Sequence, residues 1–137
     1  MDASQVLCFA GLALFMLGLL NGLAIPRMRS PRLGLSAHLT GVQSGTFLIA
    51  VGVMWPRLSL AGIWNGVLAN GLWVSLVLIW ISLVLAGVFG AGQGLAIAGQ
   101  GITSTPGRQR LVSVLLIAGS LGCLVAVAAM LALWRWR

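Results

Sequence analysis

The chain has 137 residues, of which 60% are hydrophobic and 7% charged, with a net charge of +7; its mean hydropathy is +1.08. Soluble domains carry roughly 25% charged residues, so these values exclude an ordinary soluble domain and point to a membrane protein. They also exclude most side-chain chemistry: the one acid is Asp2, the one histidine is His38, and lysine and tyrosine are absent.

A hydrocarbon core about 30 Å thick needs about 20 apolar residues per helix. Four segments qualify, 6–25, 35–55, 60–89 and 111–134. The expected fold is an all-α membrane protein, a four-transmembrane-helix bundle forming one domain over residues 1–137. The first segment lacks a basic leading region, and its apolar run is too long for a signal peptide. At about 100° per residue, Gly11, Gly18 and Gly22 fall on one stripe of it. Pro26, Arg27, Arg29, Pro31 and Arg32 then form a basic turn.

In the second segment Gly34, His38, Gly41, Gly45 and Gly52 share roughly 60° of arc. Trp55, Pro56 and Arg57 mark its end with an interfacial indole, a helix breaker and a charge. The third segment aligns Gly62, Gly66, Asn70 and Trp73, and is long enough to tilt, kink or protrude. Residues 90–110 form a glycine-rich connection in which Gly92-Gln93-Gly94 is echoed by Gly99-Gln100-Gly101. Its apolar centre suits a re-entrant or surface-lying segment; with no preceding strand and no following lysine it is not a phosphate loop. Trp134, Arg135, Trp136 and Arg137 anchor the fourth segment at a boundary.

All eight basic residues are arginines, read as topology anchors and lipid contacts rather than a nucleic-acid surface. Arg27, Arg29, Arg32, Arg108 and Arg110 lie on one side, against Arg57, Arg135 and Arg137 on the other. The excess directs the first and third loops to the cytoplasm. Cys8 and Cys123 are widely separated in apolar runs and give neither a zinc spacing nor a redox pair.

An ionisable group inside the membrane is a functional candidate by default, and His38 is the one such group within these helices. The glycine seams serve close helix packing, but an imidazole on a glycine-lined face also leaves room for a flat cofactor. Haem, whose iron commonly takes a proximal histidine, fits that space. The alternative is a structural histidine hydrogen-bonded to a neighbouring helix. One histidine excludes a bis-histidine site within the chain, so a five-coordinate iron with an open face is the simpler expectation. Such an iron acts as a Lewis acid. Ser44 and Asn70 are candidate donors to a substrate; as ordinary interhelical hydrogen bonds they would contribute about 1 kcal/mol each.

The stretch Pro31-Arg32-Leu33-Gly34-Leu35-Ser36-Ala37-His38-Leu39-Thr40-Gly41, continuing through Gly45-Thr46-Phe47-Leu48-Ile49-Ala50-Val51-Gly52 to Trp55-Pro56-Arg57-Leu58, resembles the hydroxylaminobenzene mutase family. It is similar, more distantly, to styrene oxide isomerase. Leu68-Ala69-Asn70 resembles an aromatic-Ala-Asn segment of their third helix, and Gly90-Ala91-Gly92 with Ile97-Ala98-Gly99 the glycine-rich third loop. The resemblance implies a small integral-membrane isomerase and, for the styrene oxide branch, a homotrimer with haem b at each subunit interface, with His38 at the position of that haem's axial histidine. Gly34, Gly41 and Gly45, on the same helix face by spacing, are the cofactor-binding candidates beside it. The resemblance also implies N-aryl hydroxylamine to aminophenol conversion, or, in the epoxide branch, epoxide to aldehyde. A bacterial inner membrane is the location expected with it.

Two departures bear on substrate. The family has an asparagine six residues after the histidine, where this chain has Ser44. The epoxide branch has an aspartate and a tyrosine where Gly66 and Val74 stand, which weighs against the epoxide reaction. Outside the isomerase class, a noncatalytic haem-binding membrane protein and a small exporter remain. The exporter ranks last, because proton coupling calls for an intramembrane carboxylate.

Overall fold

A computed structural model describes residues 2–58, 62–92, 95, 101 and 103–133. Its elements in chain order are α1 (Ala3–Ala24), a 3-10 turn (Ile25–Arg27), α2 (Pro31–Met54), a second 3-10 turn (Trp55–Leu58), α3 (Ile63–Phe89) and α4 (Pro106–Leu133). All four helices are long and apolar enough to cross a membrane. The chain is a multi-pass, all-α membrane protein, as its composition predicts.

The helix starts explain where expected and observed boundaries differ. Asp2 caps α1 through a capping box: its Oδ1 accepts from the Gln5 amide at 2.8 Å, and Gln5 Oε1 accepts from the Asp2 amide at 3.1 Å. The one acid is thereby spent on helix initiation. Ser30 caps α2, with Pro31 in the first turn, where its fixed φ and missing N–H cost nothing. Pro31 and Arg32 therefore belong to the helix rather than to the basic turn. Pro106 likewise opens α4, about a turn before the apolar run begins, and the Arg108 guanidinium lies 4.8 Å over the Phe89 ring. Gly90 closes α3 in the left-handed region at φ 65°, the conformation glycine adopts without a Cβ penalty. Residues 93, 94, 96–100 and 102 of the glycine-rich connection, and the 134–137 anchor, lie outside the described residues.

Hydrocarbon tails are as apolar as leucine, so helices in lipid associate by close packing and hydrogen bonds. The α1/α2 pair uses both. A Cβ at Gly18 would lie 2.7 Å from the Val42 nitrogen, and one at Gly45 would lie 2.6 Å from the Phe15 nitrogen. Along that seam Ser4 Oγ donates to the Gly52 carbonyl at 2.8 Å and Asn21 Nδ2 to the Gly34 carbonyl at 3.0 Å.

Helix α3 packs on this pair through Trp80, against Gly41, and Gly87, against Gly34. Helix α4 lies on α3, where Gly119 meets the backbone at Ser75 and Ser82 Oγ donates to the Val112 carbonyl at 2.9 Å. Leu7, Leu14, Leu48 and Leu72 fill the main core. A smaller cluster of Leu33, Ala86, Ala91 and Val112 closes the end bearing the first loop.

Candidate functional site

His38 sits about two turns into α2, half-buried, with its ring turned onto α1. Its Nδ1 lies 2.8 Å from the Gly18 carbonyl oxygen. A carbonyl only accepts, so Nδ1 must carry the proton. In the neutral imidazole that leaves Nε2 with its lone pair, and Nε2 makes no hydrogen bond among the described residues. An Nδ1–H held by a backbone carbonyl, with the other nitrogen available, is the arrangement that metal-ligating histidines show. The ring rests on Gly22, where an added Cβ would lie 2.8 Å from Nδ1 and 3.0 Å from Cε1. The two sequence readings of His38 thus meet: it hydrogen-bonds a neighbouring helix, and the bond leaves a coordinating nitrogen.

The glycines of the α2 face are occupied from within the chain. Gly41 lies against Gly18 and Trp80, Gly45 against Gly11 and Phe15, and Gly34 against Met28. They admit α1, α3 and the first loop rather than leaving a bare surface beside the ring. His38 itself stays half-buried, with Nε2 making no hydrogen bond among the described residues.

Ser44 is buried, and its hydroxyl makes no hydrogen bond among the described residues. Six residues beyond His38, it projects about 120° around α2 and roughly 9 Å along it. Asn70 is exposed and its amide is engaged locally: Nδ2 donates to the Gly66 carbonyl at 2.9 Å, and Oδ1 accepts from the Trp73 indole at 3.0 Å. It borders a cavity of about 280 Å³ with Asp2, Ala3, Val6 and Asn65. His38 meets α1 at Gly18 and Gly22, whereas this cavity meets α1 at Val6 and below. The offset along α1 is roughly 18 Å at 1.5 Å per residue, so the chain does not bring Asn70 to His38.

Between these two levels runs an apolar groove of about 340 Å³ on the α1/α3 side, with Val6 and Trp73 toward one end and Leu17 and Trp80 toward the other. The Trp80 indole nitrogen, near Gly41, is buried without a hydrogen-bond partner among the described residues. Asn21, Gly22 and Trp80 are absent from the residues expected from sequence. Asn21 carried a signal, a carboxamide inside an apolar run; the role of Gly22 did not, since nothing in a stripe of small residues says which one faces an imidazole.

Among the described residues no three His, Cys, Asp or Glu side chains cluster. A bare metal ion would want such a set, but a haem, which brings its own four nitrogens, asks one axial imidazole of the protein. His38 fits that requirement.

Comparison with known proteins adds to this geometry. The sequence model of the family described as Styrene oxide isomerase matches residues 3–135. Hydroxylaminobenzene mutase HabB of Ectopseudomonas oleovorans is 46% identical over 137 residues, covering 93% of this chain and 77% of that protein. Hydroxylaminobenzene mutase HabA of the same organism is 40% identical over 123 residues, covering 82% and 84% respectively. No solved structure matches at a significant level.

Proposed function

The chain belongs to the styrene oxide isomerase family, and from that premise we propose that it is a membrane isomerase that turns an N-aryl hydroxylamine into an aminophenol. The reaction is an intramolecular hydroxyl transfer: the N–O bond breaks, a C–O bond forms on the ring, and the ring proton it displaces is balanced by one gained at nitrogen. Nothing is oxidised or reduced overall.

The observation that carries the reading is the 2.8 Å bond from His38 Nδ1 to the Gly18 carbonyl, which would leave His38 Nε2 to hold haem b. Haem held by His38 would supply Lewis acidity toward a substrate oxygen. The chain's own residues do the rest. His38 holds the cofactor, with Gly34, Gly41 and Gly45 fixing the backbone that carries it. The α1/α3 groove, walled by Trp73 and Trp80, offers an uncharged arene the apolar surroundings typical of ligand sites. Ser44 and Asn70 orient the polar end of the substrate.

One subunit leaves Asn70 far from His38, which favours a site completed by a neighbour. We include in the proposal a homotrimer with haem at the subunit interfaces. Gln43, halfway along α2, is exposed and makes no hydrogen bond among the described residues. A carboxamide at that depth is costly in lipid, and a neighbouring subunit would relieve it. At Gly66 a Cβ would meet nothing within 4 Å, and Val74 is exposed; neither supplies a polar group for epoxide opening.

The test is an absorption spectrum of the purified protein, followed by product analysis with phenylhydroxylamine. A Soret band and aminophenol formation are expected. Haem without turnover would leave a noncatalytic haem protein.

A further inference from the structure

The α1/α2 seam contains glycines of two kinds. At Gly11, Gly18, Gly41, Gly45 and Gly52, an added Cβ would approach backbone atoms of the facing helix to 3.0 Å or less. Close packing accounts for these five. Gly22 is different: the three heavy atoms nearest its missing Cβ are all in the His38 ring, Nδ1 at 2.8 Å, Cε1 at 3.0 Å and Cγ at 3.4 Å. No backbone needs the space.

The helix explains why the imidazole does. Side chains four residues apart stand one above the other on the same face, and the carbonyl of residue 18 points up the axis toward residue 22, whose N–H it accepts. A side chain at 22 would stand over that carbonyl. Without one, a second lone pair is open to a donor arriving from α2, and His38 Nδ1 takes it at 2.8 Å. Across the same contact Asn21 Nδ2 donates to the Gly34 carbonyl at 3.0 Å, one turn before His38. Each helix thus sends one side chain to a carbonyl of the other, which fixes the register that brings the ring over Gly22.

We propose that Gly22 is a positioning residue for the cofactor: its missing side chain opens the Gly18 carbonyl to His38, which locks the imidazole as the Nδ1–H tautomer and presents Nε2 for coordination. The cofactor half of this statement rests on His38 being the haem ligand. The tautomer half does not.

The chain has one histidine, so 15N-histidine NMR of the tag-free, full-length protein reads this ring alone. The wild-type protein, freed of haem, should show a protonated Nδ1 and an unprotonated Nε2. Gly22→Ala should shift these signals toward the other tautomer or a mixture. Its haem affinity should fall about tenfold or more, the usual cost of losing an outer-sphere partner of a metal ligand. Its unfolding midpoint should fall no further than that of His38→Ala, which loses the same bond, whereas Gly18→Ala, which strikes the Val42 backbone, should lower it more. Three results would overturn the proposal: an Nε2–H tautomer in the wild type, wild-type tautomer and haem affinity in Gly22→Ala, or haem loss in that variant only in step with unfolding. The wild-type spectrum is decisive by itself, so the proposal stays falsifiable even if the Gly22→Ala chain fails to fold. If His38→Ala binds haem normally, the ligand assignment falls, while the spectrum of the haem-free protein still decides what the Gly18 carbonyl does.

Discussion

His38 of α2 and Gly18 of α1 are joined by a 2.8 Å hydrogen bond between an imidazole nitrogen and a main-chain carbonyl. The bond couples the fold to the proposed site, since the contact that helps hold two helices together also orients the imidazole we propose as the haem ligand. His38→Ala should therefore abolish the Soret absorption while costing about 1 kcal/mol of stability, the typical scale of a hydrogen bond between membrane helices. Haem content per protein and unfolding in a detergent titration measure the two effects separately. A variant with full haem occupancy would reject His38 as the ligand.

Asn21 is the other half of that crossing. Its side chain is buried, and its amide donates to the Gly34 carbonyl at 3.0 Å. Asn21→Leu keeps the volume and removes the donor, so stability should fall by about 0.6–1.7 kcal/mol. Haem affinity should decline modestly as the register under the ring loosens. The measurement is a comparison of unfolding midpoints and haem titrations; unchanged values in both would show that the glycine contacts alone set the register.

Gly41 and Gly45 test the difference between packing and cofactor access. A Cβ at Gly41 would lie 2.7 Å from the Gly18 Cα and one at Gly45 2.7 Å from the Gly11 carbonyl oxygen. Leucine at either position should force α1 away and destabilise the bundle by about 1–3 kcal/mol or more. Haem loss should then track loss of helix packing, measured by circular dichroism melting beside the Soret band. Selective haem loss from a fully stable variant would return these glycines to the cofactor surface.

The four helices were legible because apolar runs of about 20 residues admit one reading in a membrane. Their starts were less so. Arg32, Arg108 and Arg110 read as loop by charge, yet lie in first turns behind Pro31 and Pro106, where a helix end reaches past the apolar slab. His38 stood out because it is the one histidine, and the glycine stripes because their spacing is regular. Spacing does not say what covers a stripe. On α2 the cover is α1 and Trp80; on α1 at Gly22 it is the imidazole. Polar chemistry groups Asn70 and Ser44 with His38, but axial position along α1 and α2 separates them from it, a quantity fixed by pairwise helix register and not by any one segment.

Ser44 and Asn70 should influence turnover rather than haem content. Ser44 is buried with no hydrogen bond among the described residues, and Asn70 retains an amide hydrogen beyond its bond to Gly66. A lost hydrogen bond of about 0.5–1.5 kcal/mol corresponds to a two- to tenfold decrease, expected in kcat/KM for Ser44→Ala and Asn70→Ala. The larger effect should fall on Asn70, because the segment Leu68-Ala69-Asn70 resembles the family's and Ser44 departs from it. Steady-state kinetics normalised to haem content is the check, and wild-type kinetics in both variants would remove them from the substrate site.

The reaction's electron balance supplies the sharpest test of the isomerase reading. Moving a hydroxyl from nitrogen to a ring carbon consumes no electrons and no oxygen, so the oxidised, purified protein should convert phenylhydroxylamine anaerobically with no donor present. Azide or free imidazole, which occupy an open axial position, should slow the conversion in competition with substrate. Reduction of the iron should weaken it, because a lower positive charge polarises an oxygen less. Styrene oxide should be the poorer substrate: Gly66 and Val74 offer no acid or phenol, and the chain has no tyrosine to recruit from elsewhere. Chromatographic yields of aminophenol and of aldehyde, compared under argon and in air, measure all of this. Strict dependence on stoichiometric reductant or oxygen would place the protein among redox enzymes, because the proposed hydroxyl transfer consumes neither.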